Sequence, residues 1–214
     1  MSSVKPDHVR HADELGRPHG YFRGLRAVID ELQVGIVDEI VEVVLAAYRD
    51  SRSIFVFGNG GSAALASHCA CDLGKGTVNG SRRLRVISLA DNVPLITAWA
   101  NDVAFDDIYM EQLRNLLQPN DVVLAISCSG NSPNIIKALR YARDTGATTV
   151  GLTGFAGGQM KDLCDLCLVV PSDSMQLIED LHVSISHSIF LAVKARIADG
   201  FAAKPAAAAA RFFS

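Results

Sequence analysis

The sequence of 214 residues lacks a long apolar run, a strong net charge and an even set of cysteines. No stretch approaches the ~20 consecutive apolar residues that a membrane-spanning helix needs, so we expect no membrane partner. The formal net charge of −3 gives no general attraction to nucleic acid, and we expect no nucleic-acid partner either. The amino-terminal segment is charged and has no apolar core of the kind found in secretion signals, which predicts a cytoplasmic protein.

The five cysteines argue against a framework of disulfides because their number is odd. Cys164 and Cys167 have the C-x-x-C spacing that can indicate a zinc or redox site. A second pair of this kind does not occur, and both residues stand at the start of an apolar stretch typical of a buried strand. We therefore interpret them as reduced thiols that pack in the interior.

Short apolar runs alternate with helical patterns along most of the chain. We predict strands over 53–58, 84–90, 121–127, 148–154 and 166–171. We predict helices, the first of them a helix or a helix pair, over 21–50, 62–74, 92–100, 105–117, 132–145 and 176–198. Continuous apolar strands that alternate with helices indicate a parallel sheet with helices on both faces. The predicted fold is α/β: a single, doubly wound, five-stranded parallel sheet with an N-terminal helical extension.

The two ends of the chain differ from the middle in composition. We predict a polar N-terminal arm over 1–20, one folded domain over 21–198 and a low-complexity tail over 199–214. The tail is rich in alanine, and we assign it no function.

Polar, glycine-rich segments follow three of the predicted strands. Gly58–Ser62 ends the first strand and begins a helix, where free backbone N–H groups can bind an anion. Ser127–Ser132 repeats this arrangement at a second helix start, and the segment 152–158, LTGFAGG, repeats it at a third. One such turn is often only structural, but three at one edge of a sheet favour a phosphorylated small molecule. The phosphate-binding lysine motif G-x-x-x-x-G-K-S/T is absent from the sequence, which suits a phosphate monoester better than a nucleotide.

Histidines and carboxylates recur in two of the predicted helices. His68 and Asp72 are four residues apart, so they share one helix face. Glu179 and His187 lie in the last helix about 80° apart around its axis, so both can reach one point. Two histidines and two carboxylates would suit a zinc ion. Taken singly, a residue of this kind is more often structural, as a core histidine or a solvated carboxylate.

The motifs GNGGS, SxSGNS, LTGxxGG and ED-L-H-x4-H, in this order, resemble the sugar isomerase (SIS) domain family, and more narrowly its phosphoheptose isomerases. The resemblance covers residues 22–198. It implies the SIS fold and the interconversion of sedoheptulose 7-phosphate and D-glycero-D-manno-heptose 7-phosphate through an enediol. It also implies a homotetramer with active sites at subunit interfaces, and zinc in at least some members, which we expect here as one ion per subunit.

The resemblance also implies roles for individual residues, transferred by position. The residues expected to bind the substrate and its phosphate are Asn59, Gly60, Ser62, Asp102, Ser127, Cys128, Ser129, Ser132 and Glu179. The residues expected to bind the metal are His68, Asp72, Glu179 and His187. The residues expected to take part in proton transfer are Asp72, Glu179 and His187.

Four positions depart from the pattern of the family. Asp72 replaces a glutamate, Glu179 a glutamine, Gln176 an aspartate and Cys128 a threonine. Two assignments therefore stay open. In the preferred one, Glu179 binds zinc with the two histidines and Asp72 takes the substrate proton. In the other, Asp72 is only a ligand and Glu179 transfers the proton.

Two further functions compete with an isomerase. One is a non-catalytic SIS protein that binds a protein partner such as a replication initiator, and retention of both His68 and His187 speaks against it. The other is a phosphosugar-sensing module, but no helix-turn-helix precedes the domain. We expect the isomerase.

Overall fold

The computed structural model describes residues 15–200, which divide into two units that we describe separately. The first unit, up to Leu32, contains helix α1 (Pro18–Asp30). Proline begins this helix, at a position where its missing N–H removes no intrahelical hydrogen bond. Residues 1–14 of the predicted arm and 201–214 of the predicted tail lie outside the described residues.

The second unit, from Gln33 on, alternates helices and strands. Its elements in chain order are α2 (Val34–Arg49), β1 (Ser53–Gly58), α3 (Gly61–Gly76), β2 (Arg85–Ser88), α4 (Val93–Asp102), a 3-10 turn (Phe105–Asp107), α5 (Met110–Leu116), β3 (Val122–Ser127), α6 (Pro133–Asp144), β4 (Thr148–Thr153), α7 (Met160–Leu163), β5 (Leu166–Val169) and α8 (Met175–Ala198). Helices α1 and α2 confirm the predicted N-terminal helical extension. Among the described residues, no helix is long and apolar enough to cross a membrane.

All five strands join one parallel sheet in the order β2-β1-β3-β4-β5. Strands β1, β3 and β4 are buried at every residue, as expected for a parallel sheet that helices cover on both faces. The strand order reverses next to β1. The crevice between the carboxyl ends of β1 and β3 is therefore the switch point at which such sheets bind ligands. The predicted fold class, a doubly wound five-stranded α/β sheet, is confirmed.

Alternate side chains of β1 join apolar layers on the two faces of the sheet. Phe55 and Phe57 belong to one layer with Leu113 of α5 and Leu139 of α6. Ile54 belongs to the other layer, where side chains of α2, α3 and α8 surround it. Full burial of one such side chain contributes about 1.5–3 kcal/mol. Helices α3 and α8, which carry the candidate metal ligands, also pack against each other.

Candidate active site

The loop between β1 and α3, Gly58–Ser62, lies at the switch point of the sheet and depends on its glycines. Gly60 has a φ of +54°, a conformation that glycine adopts without strain. Gly58 has no room for a side chain, because a Cβ built there would lie 2.6 Å from Cβ of Ser62 and 2.7 Å from the carbonyl oxygen of Ile126. The close approach brings the start of α3, with its positive helix end, next to the end of β3.

The loop between β3 and α6, Ser127–Ser132, presents hydroxyl groups at the same edge. Ser127 ends β3, and its Oγ lies 3.4 Å from Oγ of Ser132, the residue that precedes α6. Ser129 is exposed, and its Oγ accepts the backbone N–H of Asn131 at 3.2 Å. Neutral hydroxyl donors beside a helix start can surround a phosphate without a lysine.

The third polar segment, which follows β4, supports the second loop. Thr153 is fully buried, and its hydroxyl donates to the carbonyl of Cys128 at 3.2 Å. Gly158 has a φ of +55°, and a Cβ there would lie 2.4 Å from the carbonyl oxygen of Ser129. The sequence predicted three ligand-facing segments. The structure brings two of them to the crevice, and the third packs against the second.

The thiol of Cys128 lies between the two loops that face the crevice. Burial raises the pKa of this thiol, the nearby charge of Glu179 raises it further, and a hydrogen bond to Ser62 opposes both effects. The thiol therefore stays neutral at physiological pH, and it adds no negative charge beside the expected phosphate.

Three of the four predicted metal ligands meet between α3 and α8. Nε2 of His68 lies 3.4 Å from Oδ2 of Asp72 and 3.4 Å from Nε2 of His187. Oδ2 of Asp72 lies 3.7 Å from Nε2 of His187, and all the ligand atoms of the group lie within 4.8 Å of one another. The side chains are 48%, 24% and 46% exposed for His68, Asp72 and His187, so an ion could enter from solvent. Two imidazoles and a carboxylate are a donor set that zinc binds, so this group fits the expected ion.

Glu179, the fourth predicted ligand, is not a member of this group. Its carboxylate lies at the start of α3, where a Cβ built on Gly61 would be 2.9 Å from Oε1. A cavity of about 200 Å³ adjoins it, lined by Gly61, Ser62, Leu65, Glu179, Asp180, His182 and Val183. Glu179 thus lies beside the first loop and outside the His68–Asp72–His187 group, and its role as a ligand stays a prediction.

Asp102 lies at the end of α4 and is exposed. Asn101 Nδ2 donates to Asp102 Oδ1 at 2.7 Å. Within residues 15–200 no hydrogen bond or ion pair joins Asp102 to either loop, so its contact with substrate also stays a prediction.

The structure adds two residues that the sequence analysis missed. The hydroxyl of Tyr109 donates to the carbonyl of Gly58, and the amide of Asn134 pairs with that of Asn59. Asn134 could have been noticed in the sequence, because it is a polar residue on the face of α6 that otherwise carries buried apolar side chains. Tyr109 gave no such signal, since an aromatic residue in an apolar segment is most often part of the core.

Comparisons with known proteins agree with this geometry. The model of the SIS domain family matches residues 20–154. A phosphoheptose isomerase from Bradyrhizobium sp. is 37% identical over 186 residues, which cover 87% of this chain and 93% of that relative. A phosphoheptose isomerase from Pelobacter propionicus is 41% identical over 154 residues, which cover 72% of this chain and 82% of that relative.

Solved structures give the same result. The phosphoheptose isomerase of Neisseria gonorrhoeae matches with a TM-score of 0.78 and 28% identity, covering 83% of this chain and 96% of that one. The phosphoheptose isomerase of Francisella tularensis matches with a TM-score of 0.79 and 27% identity, covering 85% of this chain and 98% of that one. The chain therefore belongs to the SIS domain family and, within it, to the phosphoheptose isomerases.

Proposed function

We propose that this isomerase interconverts sedoheptulose 7-phosphate and D-glycero-D-manno-heptose 7-phosphate. The observation that carries the proposal is the position of the His68–Asp72–His187 group relative to the first loop. His68 lies seven residues after Gly61, at which α3 begins, and seven residues of helix rise about 10 Å. This separation is comparable to the length of an extended sugar phosphate, so a phosphate at the loops can place the other end of the sugar beside the group.

The phosphate is assigned to the two loops of the crevice. Ser62, Ser127, Ser129 and Ser132 supply hydroxyl donors, Gly60 supplies backbone, and the neutral thiol of Cys128 lies among them. Asn59 is assigned to the sugar, and Asp102 to a substrate contact. The charge of Glu179 acts on the Cys128 thiol, and Glu179 is not a member of the group formed by the three other predicted ligands. Both observations support a role for Glu179 at the substrate.

Isomerisation moves a proton between C1 and C2 through an enediol, which requires a base, an acid and stabilisation of charge on oxygen. Zinc, when bound by His68, Asp72 and His187, supplies that charge stabilisation. The short distances from Asp72 to both histidines favour its role as a ligand. Glu179, outside the group and beside the cavity, is then the residue that takes the substrate proton. These distances support the second of the two assignments that the sequence left open.

The assembly and the location of the enzyme are part of the same proposal. Exposed apolar side chains at the two ends of α4 and just after it, Val93, Val103 and Phe105, are surfaces that a partner subunit would cover. We assign the enzyme to a homotetramer in the cytoplasm. The relatives described above are named isomerases, and none of them supports a non-catalytic protein that binds a replication initiator.

The test is turnover of sedoheptulose 7-phosphate in deuterated water by the wild-type enzyme loaded with zinc. We expect the aldose product, with deuterium from solvent at C2. Glu179→Gln should stop this exchange and keep its zinc, whereas Asp72→Asn should lose zinc. No product from the wild type would refute the function. If deuterium incorporation at C2 persisted in Glu179→Gln and stopped in Asp72→Asn with zinc in excess, Asp72 and not Glu179 would be the base.

A further inference from the structure

The glycine-rich loop between β1 and α3 is held by two buried side chains that are distant from it in sequence. The hydroxyl of Tyr109 donates to the carbonyl of Gly58. The amide of Asn134, at the start of α6, meets the amide of Asn59 edge to edge. Asn134 is only 1% exposed, so it reaches a ligand through Asn59 and not directly.

The two amides form a closed pair of hydrogen bonds. Asn59 Nδ2 donates to Asn134 Oδ1 at 2.9 Å, and Asn134 Nδ2 donates to Asn59 Oδ1 at 2.8 Å. Each amide is both a donor and an acceptor in the pair. If only one of the two amide groups were flipped by 180°, its oxygen would face the other oxygen and its N–H would face the other N–H. The orientation of Asn59 is therefore tied to that of Asn134.

A third hydrogen bond determines which orientation the pair adopts. The backbone N–H of Ile135 donates to Asn134 Oδ1 at 3.0 Å. A backbone N–H can only donate, so the Asn134 atom that faces it must be oxygen. Nδ2 of Asn134 must then face Asn59, and Asn59 has to present its own oxygen to it. The second N–H of the Asn59 amide is left outside the pair.

We propose that Asn134 is a positioning residue for substrate binding, because it sets the Asn59 amide so that a donor N–H faces the sugar phosphate. The proposal rests on the proposed function, in which Asn59 lies near the sugar. Asn59 is half-buried at the crevice, so an amide turned the other way would bring an oxygen lone pair toward the oxygens of an anionic substrate. The affinity for the sugar phosphate thus depends on a side chain that the substrate does not touch.

A double-mutant cycle tests this role, with KM for sedoheptulose 7-phosphate as the readout. Asn59→Ala removes the amide itself, and Asn134→Ser removes the amide that orients it. We expect each single variant to raise KM about tenfold, the upper end of what one neutral hydrogen bond contributes. The double variant should raise KM no further than Asn59→Ala alone. The inhibition constant of inorganic phosphate should stay that of the wild type, because the serine hydroxyls bind the phosphate.

The matched control is Asn92→Ser. Asn92 also accepts a backbone N–H at a helix start, from Leu95 at 3.1 Å, but it lies outside both loops. This variant should leave KM unchanged. Thermal unfolding shows whether Asn134→Ser folds, and Asn134→Ala replaces it in the same cycle if it does not.

Two results would overturn the positioning role in an enzyme that turns over sedoheptulose 7-phosphate. One is additivity of the Asn59 and Asn134 effects on KM. The other is a loss of inorganic phosphate binding as large as the loss of sugar phosphate binding, which would indicate collapse of the loop. If the wild-type chain did not turn over sedoheptulose 7-phosphate, both the proposed function and this inference would be refuted. The two results above, obtained in an active enzyme, would refute the inference alone, so the two failures are distinguishable.

Discussion

Individual hydroxyl groups in the Ser127–Ser132 loop have hydrogens that remain available to a ligand. Ser129 accepts the N–H of Asn131, so its own O–H is left to donate. We expect Ser129→Ala to weaken the binding of sedoheptulose 7-phosphate, measured by titration calorimetry, by about 1–3 kcal/mol, the value of a hydrogen bond to a charged group. Ser172→Ala is the matched control, because Ser172 accepts the N–H of Ser174 at 3.1 Å in the same kind of turn outside the two loops that face the crevice. Unchanged affinity in Ser129→Ala would remove Ser129 from the binding set.

His182 gives the stability of the protein a pH dependence of known sign. Its ring is 1% exposed, and its Nε2 lies 3.1 Å from the carbonyl oxygen of Thr153, which can only accept. Burial lowers the pKa of His182 to about 4, against about 6.5 in an unfolded chain. Below pH ~6.5 the unfolded state therefore binds a proton that the folded state does not.

The free energy of unfolding should be at its full value above pH ~6.5 and should fall by up to about 3 kcal/mol as the pH decreases toward 4. Urea unfolding of the wild type and of His182→Gln, at pH ~7 and pH ~4.5, measures this difference. The variant should be less stable near neutral pH and should lose less stability on acidification. An equal loss in both proteins would show that other groups set the pH dependence.

At the scale of whole elements, the sheet could be predicted because its signals are local. Strand β1 has the predicted limits, 53–58, since a continuous apolar run ended by glycine is a strand signal that needs no tertiary information. The helix predicted over 105–117 is instead a 3-10 turn followed by the shorter α5. Asp107 is buried there and pairs with Lys137 of α6 at 2.5 Å, a tertiary contact that the helical periodicity could not reveal.

The candidate site, like the sheet, could be predicted where its signals are local in the sequence and could not be predicted where it depends on tertiary packing. The two loops follow from strand ends, and His68 with Asp72 follows from helix periodicity. The place of Glu179 beside the first loop depends on how α8 packs on α3. Helix periodicity showed only that Glu179 and His187 could reach one point, so it did not separate Glu179 from the other three predicted ligands.

The contact between the Ser127–Ser132 loop and the polar segment that follows β4 tests how these elements pack. Gly158→Ala should be more destabilising than an ordinary glycine substitution, because it combines a φ of +55° with a Cβ 2.4 Å from the Ser129 carbonyl. Gly146→Ala is the matched control, since Gly146 has a φ of +82° but no atom within 4 Å of a Cβ. We expect a loss of about 1 kcal/mol in the control, the usual cost of that backbone conformation. The loss in Gly158→Ala should be at least twice as large. If chemical denaturation gave equal losses of unfolding free energy for the two variants, the Ser127–Ser132 loop and the segment after β4 would be able to move apart at little cost.

At the scale of the whole molecule, the candidate site exists only in the folded chain. His68 and His187 are 119 residues apart in sequence, and their rings meet with centroids 5.0 Å apart because α3 and α8 pack together on the sheet. A ligand that requires both histidines should therefore bind the native state and not the unfolded one. Such a ligand stabilises the protein by mass action.

Zinc should raise the stability of the wild-type enzyme for this reason. At a free concentration about 100 times Kd, the gain is about 2.7 kcal/mol, and a chelator should remove it. Asp72→Asn should lose most of the gain, because it removes one of the three predicted ligands, whose ligand atoms lie within 4.8 Å of one another. Asp144→Asn, an exposed position at the end of α6, should retain it in full.

Glu179→Gln then tests whether Glu179 is a fourth ligand. We expect this variant to keep the zinc-dependent rise in Tm, because Glu179 is not part of the group formed by His68, Asp72 and His187. Differential scanning calorimetry with zinc and with chelator measures the rise in each variant. If Glu179→Gln lost this rise while Asp72→Asn kept it, Glu179 would be the ligand, and proton transfer would return to Asp72. If both variants lost it, both carboxylates would be ligands. If neither variant changed the rise, the stabilising zinc would be bound elsewhere, and the His68–Asp72–His187 group would not be the metal site.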